Sequence, residues 1–401
     1  MASEARKAPV QFGATLRRIL CGRAGWSGLV LQIVFAALIV WLGYEIFANV
    51  TTNLHNQRIA SGFGFFSQTA GFGVSQSLIP YSESDTYARV FFVGLVNTLV
   101  VAAVGIVFAT LIGFSVGIGR LSRNWLVARI SGGYVELIRN LPLLFQILFW
   151  YLAVLGALPG PRQSISLFDE IFISNRGLVI PRPIPHDGLM AFLVAIAVAV
   201  VAALVLRGFA RRRLFREGRP MTIWPYVLAL LIGLPLLVVL VLGTPFSIEV
   251  PQLKGFNFAG GLRVVPEFVA LALALSTYTA AFIAENVRAG IQSVPRGQME
   301  AGESLGLSHG ATLRLIVVPQ AMRVILPPLT NQYLNLTKNS SLAVAIGYPD
   351  LFSVFAGTTL SQTGQAIEII AITMGVYLLI SILTSILMGL YGRRVNRSLS
   401  R

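Results

Sequence analysis

The sequence predicts an all-α integral membrane protein with about eight transmembrane helices. Hydrophobic residues make up 55% of its 401 residues and charged residues only 12%, which is more apolar than soluble domains are. Apolar runs recur at about the 20 residues that cross a bilayer core. Arginines cluster at the ends of these runs, whereas a nucleic-acid-binding surface would gather them on one face. We therefore expect membrane lipid, and no nucleic acid, among the partners.

The chain begins with a basic segment and one apolar run. Residues 1–27 carry five basic side chains and are expected to form a cytosolic N-terminal segment. The run Gly28–Ala48 is long enough to cross a bilayer, and a polar loop completes the segment 28–86. A cleaved signal peptide would have a shorter apolar region that ends in a small-x-small site. We therefore interpret the run as an extra, uncleaved transmembrane helix.

The next part of the chain, residues 87–158, should contain two spans. The first, Tyr87–Gly119, includes Gly113 and Gly117. This small-xxx-small pair either lets two helices approach closely or merely loosens the helix. The second span includes Gly133–Tyr151 and continues to the end of this part.

Residues 159–265 are interpreted as loops and an inserted transmembrane hairpin. The stretches Pro159–Asp187 and Gly243–Val265 are expected to be loops. Between them, Gly188–Leu206 and Ile223–Leu242 are apolar spans. The arginine-rich connection between these spans either binds anionic lipid head groups or acts as a topogenic signal. We favour the topogenic reading because it completes a positive-inside pattern.

Residues 266–392 contain three more apolar spans, at Pro266–Ala284, Pro319–Leu342 and Ile367–Tyr391, and residues 393–401 form a basic tail. If the N-terminus is cytosolic, eight spans return the C-terminus to the same side. The arginine clusters before the first span and after the second, fourth, sixth and eighth spans then all lie in the cytosol. This asymmetry predicts a multi-pass protein with both termini cytosolic.

A polar segment, residues 294–319, separates the sixth span from the seventh. Pro295 should end the incoming helix. Residues 298–305 can form a short helix, which Gly306 can end in the left-handed conformation that glycine allows. Ser308 can then cap the next helix by accepting a backbone N–H. The orientation given above places this segment in the cytosol.

The polar segment resembles the EAA motif of ABC-importer permeases. Glu300, Ala301 and Gly306 fall in register with the motif, and Gly302 replaces its third-position alanine. In that family the motif forms the coupling helix that sits in a groove of the ATPase subunit, so the resemblance implies a cytosolic coupling helix within residues 294–312. The residues implied in ATPase docking are Gln298, Glu300, Ala301, Glu303 and Gly306. An ordinary amphipathic connector is the alternative.

Further motifs typical of the polar-amino-acid branch of these permeases, the histidine and glutamine permeases among them, occur in order. They are matched at Gly94–Leu99, at Tyr134–Gln146, in the stretch after Tyr278, and at Lys338–Leu342. The resemblance implies a type I ABC importer permease core, interrupted by the inserted hairpin. The long N-terminus and the hairpin are similar to the subgroup that serves general L-amino acids or glutamate, glutamine, aspartate and asparagine.

The resemblance also implies partners. Such permeases lie in the bacterial inner membrane and work in pairs, usually as a heterodimer, with two ATP-hydrolysing subunits and a periplasmic amino-acid-binding protein. The three lysines of this chain, Lys7, Lys254 and Lys338, are followed by Ala, Gly and Asn, so none belongs to a GK[ST] phosphate loop. We therefore expect no enzyme activity in this chain, ATP hydrolysis in its partners, and no cofactor or metal.

The seventh span carries polar side chains on one face. Gln332, Asn335 and Lys338 are spaced at i, i+3 and i+6, and Asn331 flanks them. Such a face requires protein or water around it. Lys338 can pair with a substrate carboxylate and the amides with other polar groups, although snorkelling and interhelical hydrogen bonds are alternatives. In the family this face lines the translocation cavity, and Tyr278 on the sixth span is a further candidate for the substrate path.

Two other functions remain open alternatives. Pro327 and Pro328 should interrupt the seventh span, and broken helices in both halves are typical of ion-coupled secondary transporters, yet the first half offers no clear counterpart. A membrane-embedded enzyme would need buried carboxylates or histidines, but His55, His186 and His309 all fall in expected loops. We favour a subunit that forms the translocation path for L-amino acids in an ATP-driven importer.

Overall fold

The computed structural model describes residues 25–56, 61–218 and 221–398. Within these ranges, seven helices are long and apolar enough to cross a membrane, or eight if one bent pair counts as a span. The predicted helical membrane fold with about eight spans is therefore confirmed. Most of the N-terminal segment 1–27 and the end of the basic tail lie outside the described residues.

The helices are numbered in chain order. The first six are α1 (Gly25–Asn56), α2 (Tyr87–Gly119), α3 (Trp125–Arg139), α4 (Leu143–Leu148), α5 (Leu189–Glu217) and α6 (Trp224–Leu242). The remaining helices are α7 (Pro266–Gln292), α8 (Arg296–Ser304), α9 (His309–Thr312), α10 (Val318–Asn339), α11 (Leu360–Thr363) and α12 (Ala366–Ser398). Irregular helical turns extend three of these elements, at Phe149–Leu155 after α4, Leu313–Val317 after α9 and Ser340–Ile346 after α10.

The third span differs from its prediction because it is two helices instead of one. The helix α3 and the helical stretch Leu143–Leu155 are bent by 108° at the short break between them. Pro142 lies in this break, and a proline disfavours helical backbone at the residue before it. The sequence Asn140–Leu141–Pro142 therefore turns the chain sharply, giving either a broken span or a re-entrant loop.

The inserted hairpin has a longer first helix than expected. The apolar run was expected to end at Leu206, but α5 continues to Glu217. Arginine is a good helix former, so the basic connection adds helical turns instead of forming a loop. Gly218 ends the helix with a left-handed φ of 67°.

The two stretches expected to be loops contain short strands. They are β1 (Ile165–Leu167), β2 (Ile171–Ser174), β3 (Gly177–Ile180), β4 (Arg182–Pro185), β5 (Phe246–Glu249), β6 (Gln252–Lys254), β7 (Asn257–Ala259) and β8 (Leu262–Val264). An antiparallel sheet runs in the order β1-β2-β3-β8, and β4-β5 and β6-β7 form separate pairs. We call residues 159–187 and 243–265 together the strand-bearing insertion. Its β-branched and aromatic residues favour strands.

The core of the protein lies among α2, α7 and α10. A Cβ built at Gly113 would stand 2.6 Å from Cβ of Ile283, and one at Gly117 would stand 2.8 Å from the carbonyl oxygen of Ala284. Only glycine permits α2 to approach α7 this closely, because real Cβ contacts are longer. The close-approach reading of these two glycines is therefore the correct one.

The helix α10 is continuous through Pro327 and Pro328. The prediction that these prolines interrupt the seventh span is therefore wrong, because the helix does not break at them. Each proline removes one N–H donor, but neighbouring turns keep their hydrogen bonds and packing holds the helix together. Buried Leu326 and Leu329 flank the two prolines.

A buried carboxylate lies in the segment between α10 and α11. Asp350 is fully buried. It accepts hydrogen bonds from the backbone N–H of Ser353 at 2.8 Å and from the hydroxyl of Tyr377 at 3.2 Å. Burial raises the pKa of Asp350 to about 6, against the lowering effect of these hydrogen bonds.

The helix α1 and Leu360–Ala371 belong to one compact unit, and residues 66–359 with 372–398 belong to another. In the first unit, the backbone N–H of Gly62 donates to the carboxylate of Glu368. The membrane-length part of α1, Val30–Val50, buries none of its most apolar window. Its surface is therefore suited to lipid.

Candidate functional site

The polar segment folds locally much as its residues predict. Pro295 precedes α8, and Gly306 adopts a left-handed φ of 80° just after it. The hydroxyl of Ser308 accepts the backbone N–H of Ala311 at 3.3 Å and so caps α9. The result is two short helices joined by a tight turn.

The residues predicted to dock an ATPase are all exposed. They are Gln298, Glu300, Ala301, Glu303 and Gly306. Gln298 accepts a hydrogen bond from Gln320 at 3.1 Å, and Glu303 lies 3.0 Å from Nδ1 of His309. The carboxylate of Glu300 has no hydrogen bond or ion pair within the described residues. It is therefore available to a partner, whereas Glu303 is partly engaged.

Two features of the polar segment were missed from sequence. Gly302 is buried, and a Cβ there would lie 2.7 Å from Cγ2 of Thr312 and 2.9 Å from Cδ1 of Ile316. Glycine at this position thus lets α8 pack directly against α9 and the helical turns that follow α9. Leu305 is 81% exposed at the turn, so an apolar side chain stands beside the charged ones.

A cavity of about 930 Å³ lies between the polar segment and the ends of the core helices. Ile118 of α2, Ile291 of α7, Met299 of α8 and Leu313 contribute to its largely apolar lining. The polar segment therefore contacts the helices around a cavity instead of packing on them throughout.

Charged side chains gather around Glu285 near the end of α7. Its carboxylate pairs with Arg120 and with Arg288, and Arg139 lies 4.0 Å away. Glu136 and Arg139 lie three residues apart on α3, but they do not form an ion pair among the described residues. The guanidinium of Arg139 instead lies over the ring of Phe282, 5.2 Å from its centroid.

The helix α10 has two faces of opposite chemistry. Ala321, Ile325, Leu329 and Leu336 are buried on one face. On the opposite face Asn331, Asn335 and Lys338 are exposed, and we call these three the polar stripe. Gln332, predicted to share this face, is half-buried. No hydrogen bond links the polar stripe side chains to other described residues. In a membrane helix an exposed polar face of this kind needs water or protein against it.

Tyr278 packs differently from the polar stripe. Its ring lies 5.0 Å from the ring of Phe282 and contributes to the rim of the hydrophobic core. Its neighbour Thr277 accepts a hydrogen bond from the hydroxyl of Tyr134 at 2.6 Å through its carbonyl oxygen. This hydrogen bond joins α7 to α3. Within the described residues, no hydrogen bond joins Tyr278 to α10.

Metal binding has no support in the described residues, because no group of three or more His, Cys, Asp or Glu side chains is placed to hold an ion. The polar stripe carries one ammonium and two amides. Amides can donate and accept hydrogen bonds, and an ammonium only donates. This set can bind and orient a polar molecule.

Comparison with known proteins gives consistent matches. Residues 105–397 match the family of binding-protein-dependent transport system inner membrane components. YhdX of Escherichia coli is 54% identical over 366 residues, which cover 91% of this chain and 93% of the relative. The general L-amino acid transport system permease protein AapQ of Rhizobium johnstonii is 50% identical, over 92% of each chain. The glutamate/glutamine/aspartate/asparagine transport system permease protein BztB of Rhodobacter capsulatus is 40% identical, also over 92% of each chain.

Proposed function

The chain belongs to the family of binding-protein-dependent transport system inner membrane components, and we propose that it is the permease subunit of an ATP-driven importer of L-amino acids. AapQ and BztB, which are similar over nearly their full length, carry amino-acid transport in their names. The substrate class of this chain is inferred from them. A secondary transporter is disfavoured by the same family membership.

The exposed carboxylate of Glu300 carries the docking part of the proposal. A membrane protein that uses ATP without a phosphate loop needs a surface on which a separate ATPase can act. The helix α8 offers one, because its exposed face is polar and Gly302 fixes it to the following helix. Leu305, exposed at the adjacent turn, would add an apolar contact at the edge of this surface.

The polar stripe carries the translocation part of the proposal. Asn331, Asn335 and Lys338 are exposed on this subunit although they lie on a helix of membrane-spanning length. Because lipid cannot satisfy them, we propose that they face a second permease subunit across a water-filled path. The ammonium of Lys338 would attract the carboxylate of an amino acid, and the amides would bind its other polar groups.

The distribution of charge supports a cytosolic position for the polar segment. Arginines on the extension of α5 and on the last turns of α12 would lie on the same side as α8. Both termini would then be cytosolic and the strand-bearing insertion would face the periplasm, where a binding protein could deliver substrate. ATP-driven movement of α8 would shift α10, and with it the polar stripe, between two arrangements.

The test is retention of the ATPase by a Glu300→Lys variant. Charge reversal at a docked carboxylate costs ~2–5 kcal/mol, so co-purification of the ATPase with the full chain should fall at least about tenfold. Membrane levels of the variant should be unchanged, because Glu300 has no partner in the described chain. The matched control is Glu217→Lys, which reverses an exposed carboxylate at the end of α5 and should retain the ATPase.

Two results would contradict the proposal. Normal ATPase retention and normal ATP-dependent uptake by Glu300→Lys would remove α8 from the docking surface. Uptake that stops when a protonophore is added, while ATP is maintained, would favour the ion-coupled transporter instead.

A further inference from the structure

A polar cavity lies at the opposite end of α7 from the polar segment. Its volume is about 590 Å³, within the range of about 300–1,000 Å³ that is typical of small-molecule sites. The helix α7 has 27 residues, so the cavity lies roughly 40 Å from α8. We call it the strand-side cavity. It is lined by Ser75, Gln76, Ser77, Asn175, Arg176, Asn257, Arg263, Val265, Pro266 and Glu267.

Two guanidinium groups and one carboxylate line the strand-side cavity. Arg176 donates one hydrogen bond to Oδ1 of Asn257 at 3.0 Å, which leaves its other N–H groups available. The guanidinium of Arg263 has no hydrogen bond or ion pair in the part of the chain that the structure describes. Glu267 accepts a hydrogen bond from the hydroxyl of Tyr151 at 2.9 Å through Oε1, and its second oxygen remains available.

One residue of the cavity lining carries a buried acceptor without a donor among the described residues. Oε1 of Gln76 is buried, yet it has no hydrogen-bond partner among the described residues. A buried acceptor without a donor costs ~1–3 kcal/mol, and such groups are rare in native structures. The backbone of Gln76 is fixed, because its carbonyl oxygen accepts Nδ2 of buried Asn97 at 2.9 Å. If the Gln76 side chain turned toward the cavity, a ligand N–H could satisfy this oxygen.

The wall that carries Arg176 is held rigidly. Asn175 and Arg176 form the two-residue turn between β2 and β3, and Gly177 follows it with a φ of 104°. A Cβ at Gly177 would lie 2.2 Å from the carbonyl oxygen of Val264 and 2.9 Å from the backbone nitrogen of Pro266, so the turn sits against the end of β8 and the start of α7. The neighbouring strand β8 carries Arg263 opposite Val179 of β3. The two arginines therefore belong to one small sheet.

We propose that the strand-side cavity binds an α-amino acid with a carboxylate side chain. Such a molecule has two carboxylates and one ammonium, which match two guanidinium groups and one carboxylate in number and sign. Guanidinium groups bind carboxylates through paired hydrogen bonds, whereas Glu267 and Oε1 of Gln76 can both accept from an ammonium. The inference rests on the proposed function for its orientation, in which this site receives substrate on the periplasmic side before the polar stripe.

The experiment uses one engineered cysteine in the full chain. The sequence contains a single cysteine, Cys21, so Cys21→Ser gives a cysteine-free background for Ser75→Cys at the exposed rim of the cavity. Right-side-out membrane vesicles that hold the assembled transporter, washed free of binding protein, are labelled with a membrane-impermeant maleimide. L-glutamate should slow labelling at least about fivefold, because a bound ligand of this size covers most of the pocket wall. L-lysine, with one carboxylate and two ammonium groups, should not.

Matched variants locate the effect. Arg263→Gln should raise the L-glutamate concentration that gives half-protection by about 10- to 100-fold, since it removes a charge-assisted hydrogen bond. Lys254→Gln removes a cation from the same insertion but outside the cavity and should leave protection unchanged. Ser247→Cys, an exposed serine on β5 outside the cavity lining, should be labelled without protection.

Several outcomes would overturn the inference. Labelling of Ser75→Cys from outside without protection by L-glutamate would overturn the site and leave the proposed function intact. Equal protection by L-lysine, or full protection in Arg263→Gln, would overturn the ligand class. Labelling only in inside-out vesicles would overturn both the site and the orientation on which the proposed function depends.

Discussion

The core helices and the inserted hairpin are both apolar and both of membrane-spanning length, yet they bury their surfaces very differently. In its most apolar stretch, 56% of α7 is buried within the chain, compared with 17% of α5 and none of α6. The hairpin exposes large apolar side chains, such as Leu240 at 78%. Hydropathy alone therefore does not separate helices that build the core from helices that offer their surface to lipid.

The chemistry of the exposed face makes the finer distinction. The helix α10 buries only 33% of its most apolar stretch, which is nearer to α5 than to α7. Its exposed side chains include Asn331, Asn335 and Lys338. The exposed side chains in the apolar part of the hairpin are mostly aliphatic, with Trp224 and Tyr226 at one end of α6. Lipid can cover the hairpin, but α10 requires a polar neighbour.

The largest effect is expected at Lys338. Lys338→Ala should lower amino-acid uptake about 100-fold, because loss of one partner of a desolvated charge pair costs ~2–5 kcal/mol. Reconstituted transport of labelled amino acid checks this, with the amount of assembled complex measured in parallel. Lys254→Ala, on β6, is the matched control and should transport normally. Unchanged transport kinetics in Lys338→Ala would mean that the polar stripe, like the hairpin surface, does not contact the substrate.

The next effect concerns the buried carboxylate of the core. The pKa of Asp350 is raised by burial from 3.8 to about 6, so the folded state keeps this proton at pH values where the unfolded chain has lost it. Its contribution to stability is present below about pH 4 and is lost as the pH rises to 6, by roughly 3 kcal/mol. Detergent unfolding at pH 4.5 and 7.5 should show a smaller difference for Asp350→Asn than for the original chain. An identical difference in both would contradict the assignment.

A smaller effect separates two glycines. Gly113→Ala would place Cβ 2.6 Å from Cβ of Ile283, and overpacking of this kind costs ~1–3 kcal/mol. In the hairpin, a Cβ at Gly233 would meet no described atom within 4 Å, so Gly233→Ala should stabilise α6 by up to about 1 kcal/mol. Thermal unfolding in detergent should lower the midpoint for the first variant only. Equal shifts would mean that the hairpin is packed as the core is.

The smallest effect is expected at Gly302. Gly302→Ala would place a Cβ 2.7 Å from Cγ2 of Thr312 and 2.9 Å from Cδ1 of Ile316, so both side chains must shift. We expect this to cost about 1 kcal/mol, the low end for added core methyl groups. We expect normal folding but a lower ratio of transport to ATP hydrolysis, because α8 would no longer sit directly on the chain that leads to α10. Gly297→Ala, where a Cβ meets nothing within 4 Å among the described residues, should leave the ratio unchanged.

Sequence predicted the features that depend on local chemistry. The span Tyr87–Gly119 was predicted with the bounds that the structure has, because its length and apolarity leave few alternatives. The left-handed Gly306 and the capping Ser308 followed from residue preferences at helix ends. The exposure of Glu300 followed from its place in a polar segment.

Features that depend on distant contacts were not predictable from sequence. Arg120 pairs with Glu285, which lies 165 positions away in the chain. No local spacing in the sequence therefore indicates the pair. The strands of the insertion have three or four residues each, too few for a periodic signal. The cavity beside them joins Gln76, Arg176 and Arg263 from three separate stretches. The close packing of Gly302 against Thr312 also depends on the fold and has no local signal in the sequence.

The continuous helix α10 has one further consequence. Pro327 and Pro328 withhold two amide donors, and the carbonyls that they would otherwise bond belong to Arg323 and Val324. The helix is therefore most easily bent just before the polar stripe, where fewer hydrogen bonds resist. Val318 lies closer to this bend than Lys338 does. A small displacement at Val318 would therefore move Lys338 further than it moves Val318.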